Sequence, residues 1–155
     1  MKHIAIMRKS WGLTEKILSG EKKIESRWYA MRCAPWDRIK AGDTVYFKNS
    51  GEPITLKSTV KKVLQFADLT PARVKEILRI YGKADGLERR SLSSFYERFK
   101  NKKYCLLVFL ENSRSVKPFD IDKSGFGAMS AWITVRNVSR ITKVRAEPTR
   151  RTSSL

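Results

Sequence analysis

Two β-rich runs separated by a tight turn constrain the fold more than any other feature of this sequence. The first run is Thr44–Lys48, and the second covers residues 54–66, whose apolar side chains alternate before they change phase near Val63. Between the runs, residues 49–52 (NSGE) are a hairpin turn signal. The change of phase predicts a bulge in a long second strand. A long, bulged hairpin of this kind is typical of a curled sheet or a barrel.

Helix and strand patterns flank this hairpin on both sides. Before it, they predict a strand over residues 2–7, a short helix with Ser10 as N-cap and Gly20 as C-terminal stop, a strand over 23–28 and a loop over 29–41. After it, they predict two helices, over 71–81 (capped by Thr70) and 92–100. They also predict strands over 103–110, 116–121 and 132–135, with 138–141 as an extension of the last strand, and a glycine loop over 124–128. This order of elements predicts an α+β domain.

Charge is the second strong constraint. The 155 residues include 33 lysines and arginines against 15 acidic residues, a formal net charge of +18. Residues 142–155 hold four of the cations and one of the acids, so +15 belongs to residues 1–141. Such an excess repels itself and favours a polyanion, because each neutralised phosphate releases counterions. We therefore expect a nucleic-acid partner, with general solubility and an anionic membrane surface as the alternatives.

The distribution of apolar residues excludes several classes of protein. Hydrophobic residues make up 41% of the chain, which is enough to build a core and argues against disorder. The longest apolar run, Cys105–Leu110, is far shorter than a membrane span, and residues 1–8 do not resemble a secretory signal. We predict one intracellular, cytoplasmic domain over residues 1–141, a basic tail over 142–155, no membrane association, and a monomer.

The cysteines and the histidine predict no metal site. Cys33 and Cys105 are far apart in the sequence, and His3 is the only histidine. A zinc site needs more ligands than these three residues supply. We therefore expect no metal, no cofactor and no disulfide, and we interpret Cys105 as a small core residue.

The most specific local string is GEKKIESRW at residues 20–28. In a strand, Lys23, Glu25 and Arg27 lie on one face and Trp28 lies on the other. An arginine fork can hold a phosphate or a base edge, and a carboxylate can accept from an exocyclic amine. On spacing alone, a solvated strand face with a weak surface ion pair is the simpler interpretation.

This string resembles the signature of the ASCH domain family, G-x-K-x-x-E-x-R, at Gly20, Lys22, Glu25 and Arg27. The preceding helix, the hairpin, the helix over 71–81 and the following strands occur in the order that such domains show, so the resemblance covers roughly residues 2–141. It implies a PUA-like mixed β-barrel of five to six strands with flanking α-helices. It also implies a cleft, built around the signature, that binds RNA.

Basic and aromatic side chains elsewhere add candidates to this cleft. Trp28 and Trp132 are candidates for stacking on an unpaired base, with filling of a barrel core as the alternative. Lys48 and Lys123 are candidates for phosphate contacts, with ordinary surface charge as the alternative. The predicted nucleic-acid-binding residues are Lys22, Lys23, Glu25, Arg27, Trp28, Lys48, Lys123 and Trp132. These residue types do not distinguish RNA from DNA as the ligand.

The resemblance also implies a second hypothesis, an enzyme. Some ASCH members look like enzymes, including a small amidohydrolase acting on N4-acylated cytidine, and others are suggested to be ribonucleases. The amidohydrolase branch uses a Lys, a Thr and a Glu; this chain has Lys22, places Glu25 at the Thr position, and offers Glu88 and Glu97 for the distal Glu. Lys22 would be the nucleophile or base, and Glu25 the proton shuttle or the residue that orients it. A third hypothesis is an accessory subunit of a ribonucleoprotein or transcription assembly.

Overall fold

The computed structural model describes residues 1–127 and 129–143. Within them, strands and helices follow in the order β1 Lys2–Met7, α1 Leu13–Ser19, β2 Ile24–Tyr29, β3 Thr44–Asn49, β4 Ile54–Phe66, α2 Pro71–Tyr81, α3 Leu92–Phe99, β5 Tyr104–Ile121, β6 Trp132–Val135 and β7 Thr142–Lys143. Short 3-10 turns cover Lys9–Trp11, Arg89–Ser91 and Val138–Arg140. No helix in these ranges is long and apolar enough to cross a membrane.

The strands form one mixed sheet in the order β2-β5-β4-β3-β1-β6, and β7 pairs with the end of β5. β1 and β3 are parallel, and the other neighbouring pairs are antiparallel. The ladder between β4 and β5 changes register at three places, and each bulge increases the twist of the sheet. The sheet therefore curls into a half-barrel whose edge strands, β2 and β6, approach each other across an open seam. The predicted α+β class and the bulged hairpin are confirmed.

Apolar clusters cover both faces of the curled sheet. The interior cluster joins β5 to the strands opposite through Leu106, Val108, Phe47 and Trp132. The outer cluster joins β5 to helix α2 through Cys105, Leu107, Val74, Ile77 and Leu78. A third cluster, on the other side of β1, contains Ile4, Ile54, Ile121 and Ile133. The first half of β5 is therefore buried on both faces, which confirms the predicted core position of Cys105.

Strand β5 corrects the prediction of two separate strands over 103–110 and 116–121. One strand runs without interruption from Tyr104 to Ile121. The polar residues in its middle pair with β4 across bulges, as Glu111 does with Thr59. Backbone ladder bonds do not depend on side-chain polarity, so a polar stretch can continue a strand that the sequence pattern would end.

Helix α1 begins later than predicted. Gly12 adopts a left-handed φ of 62°, which separates the 3-10 turn containing Ser10 and Trp11 from the helix. The helix therefore starts at Leu13, and Ser10 is not its N-cap. Gly20 ends it with a left-handed φ of 85°, as predicted. The predicted helices over 71–81 and 92–100 are present with nearly the predicted bounds.

The C-terminal part of the domain differs from the prediction in two ways. Val138–Arg140 form a 3-10 turn instead of extending β6, because the Asn137 side chain accepts a hydrogen bond from a backbone N–H of the turn. Residues 142 and 143 pair with β5 as strand β7, two residues beyond the predicted domain boundary. The rest of the predicted tail, 144–155, and residue 128 of the predicted glycine loop lie outside the described residues.

A buried histidine ties β1 to its surroundings. The His3 ring is fully buried, and its Nε2 lies 2.9 Å from Asp43 Oδ2. Its Nδ1 accepts from the Trp132 indole N–H at 3.2 Å and lies 3.0 Å from the Thr134 hydroxyl. These partners assign a neutral imidazole with the proton on Nε2. Burial lowers the pKa of His3 because the charged ring loses its hydration, although Asp43 acts in the opposite direction.

The free energy of unfolding should fall when the pH is lowered from about 7 to about 5.5. Because the pKa of His3 is lower in the folded chain than in the unfolded chain, the unfolded chain takes up the proton first below about pH 6.5. His3→Asn should be less stable at neutral pH but much less sensitive to pH, since His3 is the only histidine. Urea unfolding at the two pH values measures both effects. Equal pH dependence in the two proteins would contradict the assignment.

Candidate nucleic-acid interface

Strand β2 carries the signature residues along the open seam of the sheet. Among the strands of the described residues, β2 pairs only with β5, so its other edge faces β6 across the seam. The Arg27 guanidinium crosses this gap and donates to the carbonyls of Ala131 and Ile6 at 3.3 and 3.5 Å. The Arg27 side chain thus donates hydrogen bonds across a gap that no backbone ladder closes. The guanidinium lies at the opening of the seam.

Trp132 supports Arg27 from the interior of the half-barrel. The guanidinium carbon lies 5.1 Å from the centroid of the indole ring, a cation–π arrangement. Trp132 is only 7% exposed, and its N–H is bonded to His3. The tryptophan therefore lies behind Arg27, where it fixes the orientation of the guanidinium.

Glu25 lies between two cations. Its Oε1 is 3.7 Å from Lys22 Nζ, and its Oε2 is 3.7 Å from Arg27 Nη2. Both distances are typical of ion pairs and exceed the donor–acceptor distance of a hydrogen bond. The predicted placement of Glu25 and Arg27 on one face of the strand is confirmed by this contact.

Two atoms of this pair lack partners. Glu25 is 4% exposed, yet neither its Oε2 nor Arg27 Nε has a hydrogen-bond partner in the described part of the chain. A buried donor or acceptor without a partner costs about 1–3 kcal/mol. One acceptor and one donor, adjacent and buried at the seam, are therefore the polar feature of this surface that requires an explanation.

Lys22 forms the buried base of the site. Its side chain is fully buried, and its Nζ donates to the carbonyls of Ile24 and Asp85, both at 2.6 Å, and to Asp85 Oδ1. These bonds use all three donors of the ammonium group. Gly86 permits this packing, since a Cβ at its φ of 79° would lie 3.1 Å from Lys22 Cβ. The structure thus encloses Lys22 beneath Glu25.

Asp85 extends the network towards an aromatic wall. Its Oδ2 accepts from the Ser26 hydroxyl, whose oxygen accepts from the Trp28 indole N–H at 3.2 Å. Burial raises the pKa of the Asp85 carboxyl, and the Lys22 ammonium beside it acts in the opposite direction. The sequence does not identify Asp85 as a residue of the site, because an Asp followed by a Gly after a helix is the usual signal of a turn.

A cleft opens above this carboxylate and guanidinium, and it encloses about 220 Å³. Trp28 and Phe99 line it, and their rings stack with centroids 4.9 Å apart and planes 7° from parallel. Trp11 also lines it, with the guanidinium carbons of Arg8 and Arg98 each 5.1 Å from its ring centroid. The cleft therefore combines a buried polar floor with aromatic walls and cationic edges.

Helix α3 supplies cleft residues that the sequence does not identify. The spacing of Leu92, Phe95, Tyr96 and Phe99 places them on one face of the helix. In the structure, Phe95, Tyr96 and Phe99 are partly buried against the outer cluster, and Phe99 also lines the cleft together with Arg98. An aromatic stripe at helical spacing fits a core and a cleft wall equally well, so the sequence alone cannot separate the two.

Three of the predicted binding residues lie away from the cleft. Lys23 is exposed on a separate surface depression beside Leu110. Lys48 follows Phe47 on β3, and alternation directs its side chain to the opposite face of the sheet. There, burial and the nearby Lys123 ammonium lower the pKa of Lys48. Lys48 and Lys123 are thus close to each other and outside the cleft lining.

The acidic candidates for a distal catalytic Glu do not meet Lys22. Glu88 pairs with Arg90, and Glu97 pairs with Lys100 at 2.6 Å, both on the surface. The carboxylates that lie beside Lys22 are those of Asp85 and Glu25. Among the described residues, no three His, Cys, Asp or Glu side chains converge as metal ligands would.

Comparison with known proteins identifies the fold. No protein-family model matches this chain, and no curated protein matches it. The crystal structure of the ASCH protein of Zymomonas mobilis is similar with a TM-score of 0.64 at 13% identity, over 92% of this chain and 96% of that one. The N-terminal domain of McrB from Staphylothermus marinus is similar with a TM-score of 0.59 at 12% identity, over 90% of each chain. The chain has the ASCH, PUA-like fold, as the sequence resemblance implies.

Lys22→Met should lower the free energy of unfolding by about 3–5 kcal/mol, because it leaves two carboxylates buried beside an apolar side chain. Adding Asp85→Leu should restore part of the loss, since it removes the stranded charge. Lys23→Met is the matched control: the same substitution at the next, exposed lysine should change stability by less than about 0.5 kcal/mol. Chemical denaturation measures all three variants. Wild-type stability in Lys22→Met would show that the buried ion pair is wrongly assigned.

Proposed function

We propose that this domain binds single-stranded nucleic acid, with RNA as the preferred ligand, and holds one unpaired nucleotide in the cleft above Glu25 and Arg27. One observation carries the proposal. Glu25 Oε2 is a buried acceptor and Arg27 Nε a buried donor; neither has a hydrogen-bond partner in the described protein, and Oε2 lies 3.7 Å from Nη2 of the same guanidinium. A ligand that offers a donor next to an acceptor would satisfy both.

Nucleobase edges have this pattern. Carboxylates accept from exocyclic amino groups, and arginine donates to ring nitrogens and carbonyl oxygens. The walls formed by Trp28, Phe99 and Trp11 suit the flat, apolar faces of a base. The cleft volume of about 220 Å³ is below the range of about 300–1,000 Å³ that is usual for larger organic ligands. These properties favour one base as the occupant of the cleft.

The depth of the carboxylate favours an unpaired base. Because Glu25 is only 4% exposed, a ligand atom must enter the cleft to reach it. Bases inside a duplex cannot do so unless they leave the stack, whereas single strands present their edges freely. The charge of the domain acts in the same direction, since +15 over residues 1–141 favours a phosphate backbone over a neutral nucleoside.

The position of Lys22 favours binding over hydrolysis. A nucleophilic lysine needs an unprotonated amine that the substrate can reach. Lys22 Nζ is buried, donates to three oxygens and lies beneath Glu25. We assign Lys22 as a positioning residue that fixes Glu25, and we assign Glu25 and Arg27 as the residues that contact the ligand.

Arg27→Gln and Glu25→Gln should each weaken binding of a labelled single-stranded RNA by about tenfold or more, because each removes one side of a base contact. Fluorescence anisotropy at low and moderate salt measures the affinity, and thermal melting verifies that each variant folds. Arg79→Gln is the matched control, since it removes one positive charge from the exposed side of α2, outside the cleft.

Two results would contradict the proposal. Equal weakening by Arg27→Gln and Arg79→Gln would mean that RNA binds through general charge and not through the cleft. No binding by the wild-type chain at low ionic strength would exclude nucleic-acid binding by this domain altogether.

A further inference from the structure

Two more pockets adjoin the cleft and share walls with it. One lies beyond Trp11 and Leu13, which line both it and the cleft; we call it the helix-side pocket. The other lies beyond Arg27 and Ala131, which again line both, and we call it the loop-side pocket. The three depressions are therefore neighbours on the surface with the cleft in the middle, and we call the three together the groove.

The adjoining pockets are large enough for further nucleotides. The helix-side pocket encloses about 230 Å³ and the loop-side pocket about 340 Å³, compared with about 220 Å³ for the cleft. Phe95 contributes an aromatic surface to the helix-side pocket, and Tyr29 contributes one to the loop-side pocket. Each part of the groove thus offers an aromatic ring within a volume similar to or greater than that of the cleft.

A cation packed on an aromatic ring marks each boundary between the three parts. At the helix-side boundary, the Arg8 and Arg98 guanidinium carbons each lie 5.1 Å from the ring centroid of Trp11. At the loop-side boundary, Arg27 lies 5.1 Å from the ring centroid of Trp132. Arginine held on an aromatic ring presents positive charge beside an apolar surface, which is the combination that single strands bind.

The charges along the groove favour a polymer. Five cations line its three parts, against two acids; the cations are Arg8, Lys16, Arg27, Arg90 and Arg98, and the acids are Glu25 and Glu88. A nucleoside has no phosphate to meet these cations, and a mononucleotide has only one. A strand places a phosphate at every junction between nucleotides, so it can use the cations on both sides of the helix-side boundary.

We infer that the groove takes a strand of at least three consecutive nucleotides, with the central one in the cleft and one neighbour in each adjoining pocket. The inference rests on the proposed function, and it names the ligand class as a single-stranded oligonucleotide. It also assigns binding roles to two pockets in which Arg27 and Trp132 are the only lining residues predicted from the sequence to bind nucleic acid.

The first test is a length series. The affinity of the wild-type chain is measured by calorimetry for a nucleoside monophosphate and for the di-, tri- and hexanucleotide of the same base, at one low salt concentration. The affinity should rise by about fivefold or more with each nucleotide up to the trinucleotide, because each addition fills a further pocket. Beyond the trinucleotide, the gain should become smaller.

The second test examines the two ends of the groove separately. Arg90→Gln, at the helix-side end, should weaken the trinucleotide several-fold and leave the monophosphate unchanged, whereas Arg79→Gln should affect neither. At the loop-side end, Cys33 is exposed and Cys105 is buried, so a thiol reagent such as DTNB should react with Cys33 in the folded chain. Saturating trinucleotide should slow this reaction, and saturating monophosphate should not.

The outcomes separate the two proposals. Equal affinity for the monophosphate and the trinucleotide, or a Cys33 reaction rate that the trinucleotide does not change, would overturn the three-nucleotide groove and leave nucleotide binding in the cleft intact. Equal loss of trinucleotide affinity in Arg90→Gln and Arg79→Gln would overturn it as well. Longer oligonucleotides would then bind more tightly only because they carry more negative charge. Failure of every ligand to bind would overturn both proposals.

Discussion

The ion pair between Lys22 and Asp85 is the interaction on which the rest of the site depends. It joins the turn after α2 to the start of β2, where the N–H groups of Lys23 and Ile24 both donate to the Ala84 carbonyl. Two charges removed from water are stable only if their donors and acceptors are used, and the Lys22 ammonium uses all of its donors. Glu25 takes its position from this pair, and the cleft takes its floor from Glu25.

From this pair, a continuous chain of polar contacts crosses the domain. Its first part runs by hydrogen bonds from Asp43 through His3 to Trp132, and a cation–π contact joins Trp132 to Arg27. Ion pairs then connect Arg27 through Glu25 and Lys22 to Asp85. Hydrogen bonds complete the chain from Asp85 through Ser26 to Trp28. The chain connects both edges of the curled sheet at the seam. The residues proposed to face the ligand are therefore held by strands and by buried neighbours, which is the condition for a preorganised site. In the proposed function, Lys22 therefore positions Glu25, and Glu25 and Arg27 contact the ligand.

Local patterns were sufficient to predict the hairpin, helix α2 and the shared face of Glu25 and Arg27, because alternation and capping act between near neighbours. The partner of Lys22 could not be predicted in this way. Asp85 is 63 residues away, and only the packing of the turn around Gly86 brings it to the ammonium group. The position of Lys48 behind the sheet, and the use of α3 as a cleft wall, likewise depend on how the sheet curls. Long-range packing, and not residue type, decides which charges meet.

In the proposed function, the network beneath Glu25 and Arg27 keeps both side chains available for a ligand. The most direct test is the ¹H–¹⁵N signal of the Arg27 Nε–H group, assigned by its loss in Arg27→Lys, during titration with a single-stranded RNA oligonucleotide. We predict that this signal shifts in step with saturation and that its exchange with water slows, because the ligand supplies the acceptor that the protein lacks. An unchanged Nε–H signal at saturation, while backbone amide signals elsewhere move, would contradict the claim.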